Sequence, residues 1–313
     1  MNMYAYIIRR LLYVIPVLLG VCLIIFVIFN VVAPDPAFLL LGRHATVEQI
    51  ASLHHELGMD RPLFVQYLDI IKSAFTFNFG YSWSSKQQIW EMIKAGAGPS
   101  LTITVPVFII SNFLSISLAL LVAFYRGKLI DKAVLLISIA MMSIPSLAYI
   151  LFGQWFFGAY LGWFEIAGYE AGFPNFIPYT LLPVMLYVVI SWGPDTRFYR
   201  AVILDEVYQD YVRTARAKGV GELSIMFKHV LKNAMIPILT QVILQIPFLI
   251  LGLLLAESFF SIPGLGGMII KAINTSDFPV IKAMTILSAI SFILFGVITD
   301  VMYTLVDPRM RLK

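Results

Sequence analysis

Long stretches without a charged residue constrain this chain more than any other feature of its sequence. The first runs from Leu11 to Val32 and ends in Ala33-Pro34-Asp35-Pro36. It is longer than the apolar region of a cleaved signal peptide, which spans about 7–15 residues. Because a helix needs about 20 apolar residues to cross a bilayer, the run predicts a retained membrane-spanning helix.

Five further apolar runs raise the predicted number of membrane helices to about six. They are Pro99–Tyr125, Ala133–Phe164, a helix beginning near Tyr179 and ending at Pro194, Asn233–Ala256 and Ala283–Val306. The run from Ala133 is too long for one straight helix, and Gly158, Gly162 and Trp163 predict where it leaves the membrane. With 60% hydrophobic and only 13% charged residues, a soluble fold is excluded. The predicted fold class is an all-α integral membrane protein.

Basic residues predict how the helices are oriented. Fifteen of the 22 arginines and lysines lie in segments on one side, which includes both ends of the chain. Five of the other seven lie in one long loop, which the positive-inside rule weights lightly. Both termini are therefore predicted to be cytoplasmic. The net charge of +4 is too small an excess to indicate a nucleic-acid-binding protein.

The runs divide the chain into four parts. These are residues 1–32 with the first helix, an outer segment of about 65 residues (33–98), a five-helix core (99–306) with an inner loop (197–232), and a cytoplasmic tail (307–313).

In the outer segment, Thr46 predicts the N-cap of a helix. His54 and His55 are adjacent, whereas two metal ligands on one helical face stand four residues apart. They predict a solvated helix and no metal site.

The inner loop predicts two helices separated by a glycine hinge. The first spans Glu206–Lys218, and Gly219 and Gly221 interrupt it. The second carries apolar residues at helical spacing: Leu223, Met226, Phe227, Val230 and Leu231. Such a pair either docks into a groove on another protein or lies along the inner membrane surface, with basic side chains reaching the headgroups.

Several segments resemble one family of transport proteins. They are Gln209–Gly219, Lys232–Pro237, Glu257–Gly266, Asp277–Val280, Leu57–Pro62 and Val306–Arg311. Together they are similar to binding-protein-dependent ABC importer permeases of the peptide/nickel family, specifically the first permease subunit. The family's general Glu-Ala-Ala-x-x-x-Gly signature has lost its Glu here, because Arg213-Thr214-Ala215 precedes Gly219. Arg-Thr-Ala-Arg-Ala-Lys-Gly is the form typical of the peptide branch. Asn78-Phe79-Gly80 departs from the more common Asp-Leu-Gly.

The resemblance implies a type I ABC importer transmembrane fold in a bacterial inner membrane. It also implies a second homologous permease, two ABC ATPase subunits and an extracytoplasmic substrate-binding protein that delivers di- or oligopeptides. The same machine could carry nickel or another small solute. No Gly-x-x-x-x-Gly-Lys-Ser/Thr motif occurs in the chain, so ATP and Mg²⁺ are expected on the partner ATPases and no cofactor on this chain.

Two alternatives come from other classes. A stand-alone secondary transporter is expected to show inverted repeats or charges within its spans, and neither feature is evident here. A membrane-embedded enzyme would need a nucleophile–base or metal-ligand cluster within a span, which the sequence lacks. The expectation is therefore a permease subunit that is not itself an enzyme.

The expected functional residues fall into two groups. The ATPase-coupling group is Tyr208, Tyr211, Arg213, Thr214, Ala215, Arg216, Ala217, Lys218 and Gly219. The outer-end group is Glu257, Pro263, Gly264 and Gly266, in which Glu257 is interpreted as a structural clamp on the loop. Four polar residues within spans either join helices or line a path: Asn112, Gln154, Gln241 and Gln245.

Overall fold

The computed structural model describes residues 3–42 and 45–306, and this part of the chain is helical apart from loops and one isolated β-bridge. Its helices, in chain order, are α1 (Met3–Phe26), α2 (Pro36–Leu41), α3 (Val47–Glu56), α4 (Leu63–Thr76), α5 (Ile89–Phe124), α6 (Leu129–Met142), α7 (Ser146–Gly153), α8 (Ile177–Val207), α9 (Asp210–Ala217), α10 (Glu222–Ser224), α11 (Leu231–Leu251), α12 (Leu254–Phe259), α13 (Leu265–Asn274) and α14 (Phe278–Val306). The predicted all-α membrane fold is confirmed. The predicted tail, 307–313, lies outside the described residues.

Five helical segments of the described chain are long and apolar enough to cross a membrane, and a bent pair gives a sixth if it is counted as one span. The bent pair is α6 and α7 with its π-helical continuation Gln154–Tyr160, and the two arms meet at 88°. The sequence predicted the end near Gly158 but not this bend. Pro145, which has no N–H to continue the α6 hydrogen-bonding ladder, immediately precedes α7.

Several helix ends differ from the predicted membrane boundaries because helices continue beyond the apolar runs. α5 begins ten residues before the expected Pro99, and α8 extends past Pro194 to Val207. A π-helical turn, Ile225–Val230, joins α10 to α11. The inner connection between helices is therefore shorter than 197–232, and α9 lies within it.

The outer segment packs against the first and last membrane helices. Leu18, Cys22 and Ile25 of α1 form a buried cluster with Ile70 of α4 and Ile286 of α14. Cys22 is fully buried in this cluster. The segment is thus held on the bundle by apolar burial.

Thr46 caps a helix in the outer segment, as its sequence predicted. Thr46 accepts a hydrogen bond from the backbone N–H of Gln49, whose side chain accepts one from the N–H of Thr46, which completes a capping box at the start of α3. His54 bonds the Asp35 carboxylate at 2.9 Å, and His55 bonds Asp60 at 2.7 Å. The two adjacent histidines therefore point to different carboxylates. The described residues contain no group of three side chains suited to a metal ion.

Candidate functional sites at the inner hinge and the outer loop

The inner hinge is built around the end of α9. This helix begins at Asp210, not at Glu206, because α8 continues to Val207. The N–H of Gly219 donates to the carbonyl of Arg216 at 2.9 Å, and the N–H of Val220 donates to that of Ala215 at 3.2 Å. This pair of bonds is a Schellman motif, which requires a left-handed residue, and Gly219 has φ +77°. The hinge conformation therefore depends on a residue at 219 that tolerates the left-handed region, as glycine does.

Apolar burial fixes α9 against its own chain. Val212 and Ala215 pack in a buried cluster with Tyr199 and Ile203 of α8. Tyr211 donates a hydrogen bond to Glu206 at 2.6 Å, and burial together with this bond raises the pKa of Tyr211 to about 12. Ala215 and Tyr211, expected to face a partner, thus have internal partners.

Two of the basic residues of the hinge pair with carboxylates of this chain. Arg216 makes two bonds to the Glu222 carboxylate, at 2.6 and 3.2 Å, which ties the two sides of the hinge together. Arg213 contacts Asp210 at 3.4 Å in an exposed pair that contributes little to stability. The exposed members of the predicted coupling group are Tyr208, Arg213, Thr214, Ala217, Lys218 and Gly219.

The predicted apolar stripe on the second inner helix is divided between two environments. Met226 and Val230 are buried, whereas Leu223 and Phe227 are 65% and 58% exposed. Tyr208 is 62% exposed on the same inner connection. These three exposed side chains can offer apolar contacts to another protein or to lipid.

The outer loop is organised by the Glu257 carboxylate, which is only 1% exposed. It accepts hydrogen bonds from the hydroxyl of Ser100 at 2.8 Å and from the N–H groups of Leu253, Gly266 and Gly267 at 3.0, 2.6 and 3.0 Å. Two of these donors belong to the first turn of α13, where an anion also complements the helix dipole. The contacts are those that a structural clamp requires.

Glycines create the space for this clamp. A Cβ at Gly264 would overlap the carboxylate of Glu257 and the hydroxyl of Ser100, and a Cβ at Gly252 would also overlap that carboxylate. A Cβ at Gly266 would lie 2.7 Å from the backbone nitrogen of Leu254. The Gly264 and Gly266 of the predicted motif therefore allow close backbone approach, while Pro263 lies exposed beside them.

A second carboxylate, Asp277, joins the outer segment to the core through a contact that the sequence did not predict. Asp277 accepts hydrogen bonds from the hydroxyls of Ser82 and Ser84 at 2.5 and 2.8 Å and from the N–H groups of Trp83 and Ser84 at 3.1 and 3.2 Å. Burial raises the pKa of Asp277, but these bonds outweigh it and hold the pKa below its usual value. The partners are far apart in sequence, so no local pattern announces the contact.

Polar side chains form a chain of hydrogen bonds between three membrane helices, α5, α8 and α11. Tyr199 donates to Asn112 at 2.5 Å, Asn112 donates to Gln245 at 2.9 Å, and Gln245 donates to Asp195 at 3.4 Å. Asn112 and Gln245 therefore join α5 to α11, which agrees with the packing interpretation. Asp195 was missed because the predicted helix ended at Pro194, one residue earlier.

Gln154 joins helices, which is one of the two roles that the sequence left open for it, and it also binds a loop. Its amide donates to the carbonyls of Ile166 and Phe259, at 3.0 and 2.9 Å. It therefore holds an outer loop in place, and it joins that loop to the end of α12.

Comparison with known proteins identifies the family. Residues 111–312 match the binding-protein-dependent transport system inner membrane component, and residues 3–104 match its N-terminal domain. The chain is 32% identical over 311 residues to the glutathione transport system permease protein GsiC of Escherichia coli (strain K12) and of Shigella flexneri serotype 5b (strain 8401). The alignments cover 99% of this chain and 100% of each relative. The family's ATPase is a separate subunit. The chain therefore belongs to the binding-protein-dependent transport system inner membrane components, as a permease subunit of an ABC importer of the peptide/nickel type.

Proposed function

We propose that this permease carries small peptides, including glutathione-like compounds, into the cell. The observation that supports this substrate class most strongly is its full-length similarity to glutathione permeases. A second homologous permease, two ABC ATPases and an external binding protein complete the proposed transporter. Nickel chelates are the alternative cargo within the same family.

Uptake assays test the substrate class. A strain lacking this permease should lose ATP-dependent uptake of labelled glutathione or dipeptide and regain it when the chain is restored. Labelled nickel, given with and without a chelator, serves as the comparison. Restoration of nickel uptake alone would overturn the peptide assignment while leaving the family assignment intact.

We infer that the inner hinge transmits movement of the ATPases to the membrane helices. Its exposed side chains, Tyr208, Arg213 and Lys218, are available for contact with a partner. The buried face of α9 is fixed to α8, and the hinge leads through a continuous helical path into α11. A force applied at α9 would therefore reach two membrane helices at once.

Charge exchange tests whether the pair of Arg216 and Glu222 stabilises this hinge. Arg216→Glu places two carboxylates where 2.6 Å now separates opposite charges, so we expect a severalfold loss of transport. The double variant Arg216→Glu/Glu222→Arg restores opposite charges and should recover most of the activity. The measurement is ATP-dependent uptake at equal permease levels. If the double variant is no better than the single one, Arg216 instead contacts the partner directly.

Both termini are proposed to lie in the cytoplasm, on the basis of the distribution of basic residues. A single cysteine at Lys313 should react with a membrane-impermeant thiol reagent only after the membrane is opened. A cysteine at the exposed Gln87 of the outer segment should react in intact spheroplasts. Labelling of both positions from the same side would contradict the proposed orientation.

A further inference from the structure

A polar cavity lies between the outer segment and the ends of two membrane helices. Its volume is about 640 Å³, and its lining includes Asn30, Gln66, Asp69, Trp83 and Lys282. This volume lies within the range of about 300–1,000 Å³ that small-molecule sites occupy. None of the residues that line the cavity belongs to the inner hinge, and Glu257 is not among them.

Lys282 is the most unusual group in the lining, because it is a cation near the outer end of the membrane helix α14. Its ammonium donates to the side-chain oxygen of Asn30 at 2.6 Å and lies 5.9 Å from the centre of the Phe29 ring. Among the described residues, no carboxylate oxygen lies within 4 Å of it. An ammonium has three donors, so one bond leaves donor capacity facing the cavity.

A directional hydrogen-bond chain determines what Asn30 can offer to Lys282. The amide nitrogen of Gln66 donates to the carbonyls of Met59 and Arg61, at 3.0 and 2.8 Å. Its oxygen must then be the acceptor for the Asn30 nitrogen at 2.7 Å, and the Asn30 oxygen is left for Lys282. The chain holds the ammonium in place but supplies only neutral partners.

The other charged residues of the lining do not neutralise Lys282. Arg61 and Asp69 pair with each other at 3.4 Å, while Glu56 and Lys86 are exposed. A cation in a membrane helix is costly unless a counter-charge or water accompanies it. A roomy polar cavity beside such a cation is suited to an anion.

We propose that this cavity binds an anionic group, a phosphate or a carboxylate, through Lys282. Trp83 and Phe29 line the same space and can contact an apolar portion of the ligand. The anion could come from the headgroup of a phospholipid in the outer leaflet or from a carboxylate-bearing solute outside the membrane. Either source gives the same chemistry at Lys282, and the site is additional to the proposed peptide transport.

Ligand-dependent thermal unfolding of the purified full chain tests the proposal and separates the two sources. One arm titrates short-chain phosphatidylglycerol, with short-chain phosphatidylcholine as the lipid without net charge. The other arm titrates N-acetyl-dialanine, which carries one carboxylate and no amine. We expect one of the two anionic probes to raise the unfolding midpoint. Absence of a shift in both arms would overturn the proposal.

Two variants assign the effect to Lys282. Lys282→Gln can still hydrogen-bond but has no charge. It should raise the probe concentration needed for half-saturation about tenfold, which is the effect of losing one charge-assisted bond. Lys271→Gln removes an exposed lysine of α13 and should leave half-saturation unchanged. An unchanged response in Lys282→Gln would overturn the assignment.

Asn30→Asp provides a second test of the charge at Lys282. The new carboxylate would stand 2.6 Å from the ammonium and supply the missing counter-charge, although it no longer donates to Gln66. Gel filtration checks that the variant is folded, and the folded variant should lose the ligand-dependent shift. If it responds to the anionic probe as the wild type does, Lys282 is not the binding group.

Discussion

Gly219→Val is expected to abolish ATP-dependent transport while leaving the membrane helices folded. Gly219 has φ +77°, a conformation that costs an ordinary residue about 1–2 kcal/mol and a β-branched residue more. No atom lies within 4 Å of a Cβ placed there, so the effect would come from the backbone alone. The strained hinge would release the Schellman motif and change the direction in which α9 meets its partner.

Two matched variants isolate this backbone effect. Gly219→Asn adds a side chain that tolerates the left-handed conformation, so it should retain most transport. Gly221→Val adds the same side chain as the test variant two residues later, where φ is −62° and space is open. It should behave like the wild type. If the hinge simply did not tolerate a larger side chain, all three variants would lose transport.

The measurements are uptake, basal ATP hydrolysis and co-purification of the ATPase subunits. We expect Gly219→Val to lose uptake, and to lose either the bound ATPase or the stimulation of hydrolysis by the loaded binding protein. Wild-type uptake with the ATPase still bound would mean that the inner connection is only a helix pair on the membrane surface. The coupling assignment would then be withdrawn.

Glu257→Leu is expected to have the largest effect on stability. The substitution leaves the N–H groups of Leu253, Gly266 and Gly267 without their acceptor in a buried site. Each unsatisfied donor costs about 1–3 kcal/mol, so the three together cost about 3–9 kcal/mol. This is a large part of the free energy of unfolding of a typical domain.

Glu257→Gln and Glu165→Gln serve as the graded and neutral comparisons. Glutamine keeps one acceptor oxygen at 257, so its loss of stability should be smaller than that of leucine. Glu165 is exposed in an outer loop and should tolerate the change. The measurements are the yield of monodisperse protein and the thermal unfolding midpoint in detergent. A Glu257→Leu protein with the wild-type midpoint would contradict the clamp.

The sequence by itself determined the features that depend on local chemistry. Uncharged runs of membrane length indicated the all-α membrane class, because a bilayer requires each spanning segment to satisfy its own backbone hydrogen bonds. Thr46 and Gln49 indicated the start of α3, since both bonds of a capping box join residues within one turn. The glycine hinge was visible for the same reason, and the segment Gln209–Gly219 identified the family.

The tertiary structure alone decided which distant groups meet. Asp277 bonds Ser82 across 195 positions, Lys282 bonds Asn30 across 252, and Glu257 bonds Ser100 across 157. Such contacts depend on how the helices pack, and no period or spacing within one segment encodes them. The same holds for Arg216, whose guanidinium bonds Glu222 across the turn at Gly219. Local patterns thus specify helices and their ends, whereas packing selects the partner of each buried charge.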